Sequence, residues 1–159
     1  MHYGAQTPTA DCSYGGWMRV GPNASYQRTG TVMHEALHAI GIGQHDLWYG
    51  SSSPLRKGAG TGDWLGDRAN DFLKFWDNDN NTCFHGDATH IWPYGINGAQ
   101  EDKGTEFLYT ANGLMAQAVC EDGLPCTWQR AFGLPHYSFS QEDDIKYYIK
   151  NEDESMGLL

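Results

Sequence analysis

Residues 31–46 read TVMHEALHAIGIGQHD and hold three histidines, His34, His38 and His45, with Glu35 beside the first. On an α-helix, side chains four residues apart share a face about one turn apart, so His34 and His38 project together while Glu35 points to one side. Two imidazoles on one face can grip a single metal ion, and Glu35 stays free to act on a water beside it. This is the HExxH pattern, in which two histidines bind Zn²⁺ and the glutamate serves as general base. Gly41 and Gly43 end the helical stretch Thr31–Ile40, because glycine enters the left-handed conformation at a helix C-terminus at little cost. A glycine three residues past His38 lets the backbone turn sharply and swing a third ligand under the metal. Three histidines leave one zinc position open for water, the arrangement of a catalytic site.

Outward from this segment the pattern is loop-rich. Upstream, residues 1–13 are irregular and Tyr14–Val20 reads as a short strand whose bulky residues are Trp17, Met18 and Val20. Gly21-Pro22-Asn23 forms a turn, and Ser25 or Thr29 can cap the helix. Val32, Ala36, Ala39 and Ile40 form its core-facing side. Downstream, Leu47–Gly62 is a Gly- and Ser-rich loop. Trp64, Leu65, Ala69, Phe72, Leu73 and Trp76 then recur at helical spacing, which predicts a helix over 63–76. Asp77–Asn81 breaks it, and no periodicity is visible up to about residue 106, a length of loop that is often functional. Phe107–Ala111 reads as extended, Asn112-Gly113 as a turn, and Ser140 opens a last helix with an S-x-x-D capping pattern to Asp143 and a stripe of Ile145, Tyr148 and Ile149.

The 159 residues fit one domain over 1–159, long enough to bury its own core. A net charge of −10 argues against nucleic acid and anionic membranes as partners. No apolar run reaches the roughly 18 residues of a spanning helix, and no signal peptide is visible. The four cysteines allow three pairings. Cys120 and Cys126 flank the turn-forming EDGLP, so they pair most easily and leave Cys12 with Cys83. Two disulfides imply an oxidising compartment; the plainer reading is four buried free thiols. His85, His90 and His136 read as loop or surface histidines rather than a second metal site. Asp77, Asp79 and Asn81 have the alternating spacing of a Ca²⁺ loop, but Thr82 stands where glycine is expected and Ala88 where glutamate is, so a solvated acidic loop is the better reading. The run His90-Ile91-Trp92-Pro93-Tyr94 reads as core or pocket wall.

HEALHAIGIGQHD resembles the long zinc motif of the metzincin metalloproteases, HExxHxxGxxH followed by a family-specific residue. FSQEDDIKYYI (139–149) is similar to the C-terminal helix of matrix metalloproteinases, and CSYGG (12–16) and GTVMHE (30–35) resemble astacin segments. Gly113-Leu114-Met115 stands where the family places its Met-turn, which implies that Met115 forms a hydrophobic base beneath the metal. The resemblance touches both ends of the chain and leaves the middle third, about 47–106, unmatched. It implies an α+β zincin catalytic domain with an edge strand, a zinc helix, a loop-rich lower subdomain and a C-terminal helix. It further implies that the strand before the zinc helix pairs with an extended substrate, which would assign Gly15, Gly16, Trp17 and Met18 to substrate; an ordinary edge strand is the alternative.

The chain departs from that family in three ways. The third histidine is one residue late: Gln44 fills the family position, with His45 next and Asp46 beyond. Imidazole is the better zinc ligand, so the expected metal set is His34, His38 and His45. Gln117 stands where some metzincins carry a tyrosine after the methionine, leaving Tyr94, Tyr109 and Tyr137 as unranked transition-state donors. Only 33 residues precede His34, so either the upper subdomain is reduced or this is the C-terminal part of a longer domain. The expected protein is a secreted, periplasmic or cell-surface zinc endopeptidase, monomeric, acting on protein or peptide through Glu35. The alternatives are a zinc amidohydrolase on a non-protein amide such as a cell-wall peptide, and a zinc-stabilised binding module without catalysis.

Overall fold

A computed structural model describes residues 2–50, 52–58 and 60–126. Within them helices and sheets are segregated, an α+β arrangement. Strands β1 (His2–Tyr3), β2 (Ala10–Cys12) and β3 (Met18–Val20) form a sheet in the order β1-β3-β2, β1 parallel and β2 antiparallel to β3. The strand expected over Tyr14–Val20 is therefore shorter, and Met18 lies at the centre of the sheet instead of its edge. Gly15 and Gly16, at φ of 90° and 101°, make the turn between β2 and β3, and Trp17 beside them is 58% exposed. The Gly15 N–H donates to the Ala39 carbonyl at 3.0 Å, which docks this hairpin tip on the end of the helix that follows.

That helix, α1 (Thr29–Ala39), begins after Arg28 with no side-chain cap, so neither Ser25 nor Thr29 serves as one. Its buried positions are Gly30, Glu35 and Leu37, while Ala36 is exposed. Gly41 takes a φ of 118° and the chain reverses, with the Ile42 N–H donating to the Leu37 carbonyl at 3.1 Å. A short helix α2 (Asp46–Tyr49) follows at once, its Leu47 N–H capped by His45 Nδ1 at 3.1 Å.

A second sheet runs β4 (Arg56–Gly58), β5 (Thr61–Trp64), β6 (His85–Gly86), β7 (Ile91–Trp92), all antiparallel neighbours. Between β5 and β6 lies α3 (Asp67–Asp77). The helix expected over 63–76 thus starts later. The Trp64 N–H donates to the Phe84 carbonyl at 2.8 Å in the sheet, and Leu65 is 52% exposed instead of joining the apolar stripe. Gly66 gives α3 no cap; Asp122 supplies one from across the fold, accepting from the Arg68 N–H (2.8 Å), the Ala69 N–H (3.0 Å) and Trp64 Nε1–H (2.7 Å).

The largest departure is α4 (Glu106–Glu121). Residues 107–111 are helical instead of extended, and Asn112-Gly113 is not a turn. The Thr105 side chain caps the helix start, buried Asn112 donates from Nδ2 to the Tyr94 carbonyl at 2.7 Å, and Gly113 faces open space. Met115 accordingly sits on a helix, fully buried in the core with Leu37, Leu73 and Val119. The same core holds stacked Trp48 and Trp64 (centroids 5.5 Å apart) and Phe84 against Trp64. Cys120 and Cys126 form a disulfide, whereas Cys12, buried in β2, and exposed Cys83 are free thiols, so the second expected pairing is not made. Among the described residues no helix is long and apolar enough to cross a membrane. The helix expected from Ser140, His136 and Tyr137 all lie outside the described residues.

Candidate metal centre

Three parts of the fold surround a cavity of about 400 Å³: the free edge of β2 (Ala10, Asp11, Cys12), the inner face of α1 (Thr31, His34, Glu35, His38), and the segments Thr89–His90 and Ile96–Ala99. The helix spacing delivers what the sequence promised, with the His34 and His38 rings edge to face, centroids 4.8 Å apart. Each ring is held by its inner nitrogen. His34 Nδ1 bonds the Gly95 carbonyl and His38 Nδ1 the Ile42 carbonyl, both at 2.9 Å. A carbonyl only accepts, so both Nδ1 atoms carry the proton and both Nε2 atoms keep their lone pair, the state a metal-ligating imidazole needs. The glycine turn thus ends α1 and also orients its second histidine through Ile42. Burial drives both imidazoles toward the neutral form, His34 down to about 4.

Glu35 is 5% exposed, and its Oε2 has no hydrogen-bond partner. Desolvation, then the charge of Asp11, pushes its carboxyl up to about 7. A buried acceptor without a partner is costly. Asp11 is itself occupied, accepting from Arg19 Nε and Nη2 at 2.8 and 2.6 Å. The carbonyl that holds His34 lies on a strained stretch: Tyr94 and Ile96, on either side of Gly95, take left-handed φ values of 67° and 52°.

The remaining expected site residues distribute differently. His45 is not on the cavity wall; its ring meets Tyr14 edge-on, centroids 5.4 Å apart. Gln44 does line the cavity. Met115 and Gly15–Met18 are absent from the wall. Tyr94 donates its hydroxyl to Asp77 at 2.5 Å and Tyr109 to Asp102, a residue of the cavity wall, at 2.8 Å; neither tyrosine lines the cavity, whereas Tyr26, which the sequence reading passed over, does. At the suggested Ca²⁺ loop, Asp77 binds Tyr94, and Asp79 Oδ1 accepts from the Asn81 N–H (2.9 Å) and Nδ2 (3.0 Å). His90, read from sequence as a loop or surface histidine, borders the cavity with its ring stacked on His34, centroids 5.7 Å apart. Among the described residues no three His, Cys, Asp or Glu side chains are gathered closely enough to enclose an ion. No known protein family, curated protein or solved structure matches the chain.

Proposed function

We propose that the chain is a zinc-dependent peptidase built on the HExxH helix, working at the cavity between β2 and α1. The observation that carries this reading is the pair of imidazoles tied by Nδ1 to carbonyls, beside the unpartnered carboxylate oxygen of Glu35. His34 and His38 would hold the metal through Nε2. When bound, zinc acidifies a water and polarises the scissile carbonyl.

The chain's own residues do the rest. Glu35 takes a proton from the attacking water and passes it to the leaving amine, as general base and then acid. Its buried position raises its basicity toward the working range of such a group. Of the described tyrosines Tyr26 lines the cavity, which makes it the candidate donor to the oxygen that gains charge at the scissile carbon. The strand edge that borders the cavity is β2, so β2, in place of Gly15–Met18, pairs with an extended peptide. The Cys120–Cys126 disulfide supports an oxidising, extracytoplasmic location.

The test is digestion of casein and of a cell-wall peptide, with and without chelator, alongside metal analysis of the purified protein. Chelator-sensitive casein cleavage with about one zinc per chain is expected. Cleavage of the cell-wall peptide alone makes it an amidohydrolase. Zinc binding with neither cleavage makes it a binding module, and no zinc at all overturns the reading.

A further inference from the structure

We infer that His90, and not His45, is the third metal-binding imidazole, delivered from a turn outside the HExxH segment. The inference rests on the proposed zinc site and adds the ligand which that reading leaves open.

The argument begins with the two ring nitrogens of each histidine. His45 Nδ1 accepts from the Leu47 N–H, so its lone pair is in use and the proton of the neutral ring sits on Nε2. That leaves the ring no lone pair for a metal while it caps α2, and it lies off the cavity wall. His90 is the reverse case. Its Nδ1 lies 3.1 Å from Asp87 Oδ2 and 3.0 Å from Thr89 Oγ1. A carboxylate only accepts, so Nδ1 carries the proton and Nε2 is the free nitrogen, as in His34 and His38. A histidine oriented by a carboxylate on its far nitrogen is a recurring zinc-ligand arrangement.

The turn bearing His90 is built to hold that position. Asp87 Oδ1 accepts the N–H of Thr89 (2.8 Å) and of His90 (2.7 Å). The Asp87 carbonyl receives Trp48 Nε1–H at 3.2 Å, and buried Arg56 donates to the Gly86 carbonyl at 2.6 Å with its guanidinium over the Trp48 ring. Gly43, in the turn after α1, lets this segment close in: a Cβ there would stand 2.8 Å from the Thr89 Cα. So Gly41 makes the turn out of α1, and Gly43 after it makes room for Thr89, the residue next to His90. The ring of His90 stands next to His34 without closing on a common point with the pair.

The experiment uses the full chain. Zinc affinity is measured by chelator competition for the unsubstituted protein and for His90→Ala, His45→Ala, Gln44→Ala and Asp87→Asn, with circular dichroism to verify folding. His90→Ala is expected to weaken zinc by more than about 100-fold and Asp87→Asn by about 10-fold, the other two by less than about threefold. His90→Cys, loaded with Co²⁺, is expected to add a thiolate charge-transfer band beyond any from Cys12, a gain of signal that a misfolded variant does not give. If His45→Ala or Gln44→Ala abolishes tight binding while His90→Ala keeps it, this inference falls and the zinc site stands. If the unsubstituted protein binds no zinc, both fall.

Discussion

Segment 29–45 is held largely from within itself. The Gly41 N–H returns to His38, Ile42 to Leu37 and His45 to Gly41, and His38 Nδ1 bonds the Ile42 carbonyl four residues on. Segment 86–97, which faces it across the cavity, closes its own turn through Asp87 but is anchored from outside. Trp48, Arg56 and Asn112 grip the Gly86, Asp87 and Tyr94 carbonyls, and His34 itself bonds Gly95. One wall owes its geometry to helix pitch, the other to partners scattered over the fold. A site made this way is recognisable by its first wall and specified by its second.

The largest expected effect falls on the first wall. Glu35→Gln should lower peptide hydrolysis by about 10²–10⁴-fold while zinc content stays unchanged. Retained hydrolysis would remove the general base from the proposal. Next comes the contact between the walls. Gly43→Val combines a disfavoured φ of 71° with a clash against Thr89, and should weaken zinc by about 10–100-fold, read by chelator competition. Unchanged affinity would mean that the two walls are independent. Asp122→Ala is the control away from the cavity. Loss of its three hydrogen bonds at the start of α3 should cost about 2 kcal/mol in denaturant unfolding with zinc affinity intact. The smallest effect is expected at His45→Ala, about 1 kcal/mol from the lost cap on α2 and no change in metal binding.

Legibility follows the same division. The α1 helix, its glycine exit and the pairing of His34 with His38 could be read because each depends on residues within a few positions. The Cys120–Cys126 link was readable for the same reason. α4 was not, because the Asn112-Gly113 signal for a turn is overridden by a distant partner, the Tyr94 carbonyl, that lets Asn112 stay buried in a helix. The late start of α3 was hidden likewise, since its cap comes from Asp122 at a separation of more than 50 residues. His90 left no local signal at all. Its neighbours in sequence say turn, and only Gly43, Trp48 and Arg56 say where that turn goes. The strand beside the site was misplaced by one hairpin arm, because a sheet order of β1-β3-β2 cannot be read from strands of two and three residues.

The buried oxygen of Glu35 has a further consequence for how this protein can be improved or worn down by substitution. Folding buries Oε2 without a hydrogen-bond partner from the chain, so α1 should be steadier with an apolar side chain at this position. Selection for thermal endurance alone would therefore erode the site first, replacing Glu35 with an apolar residue of similar volume. In a library sorted for heat resistance, leucine or methionine at position 35 should rise among the survivors, and with them inactive proteins that melt later than their parent.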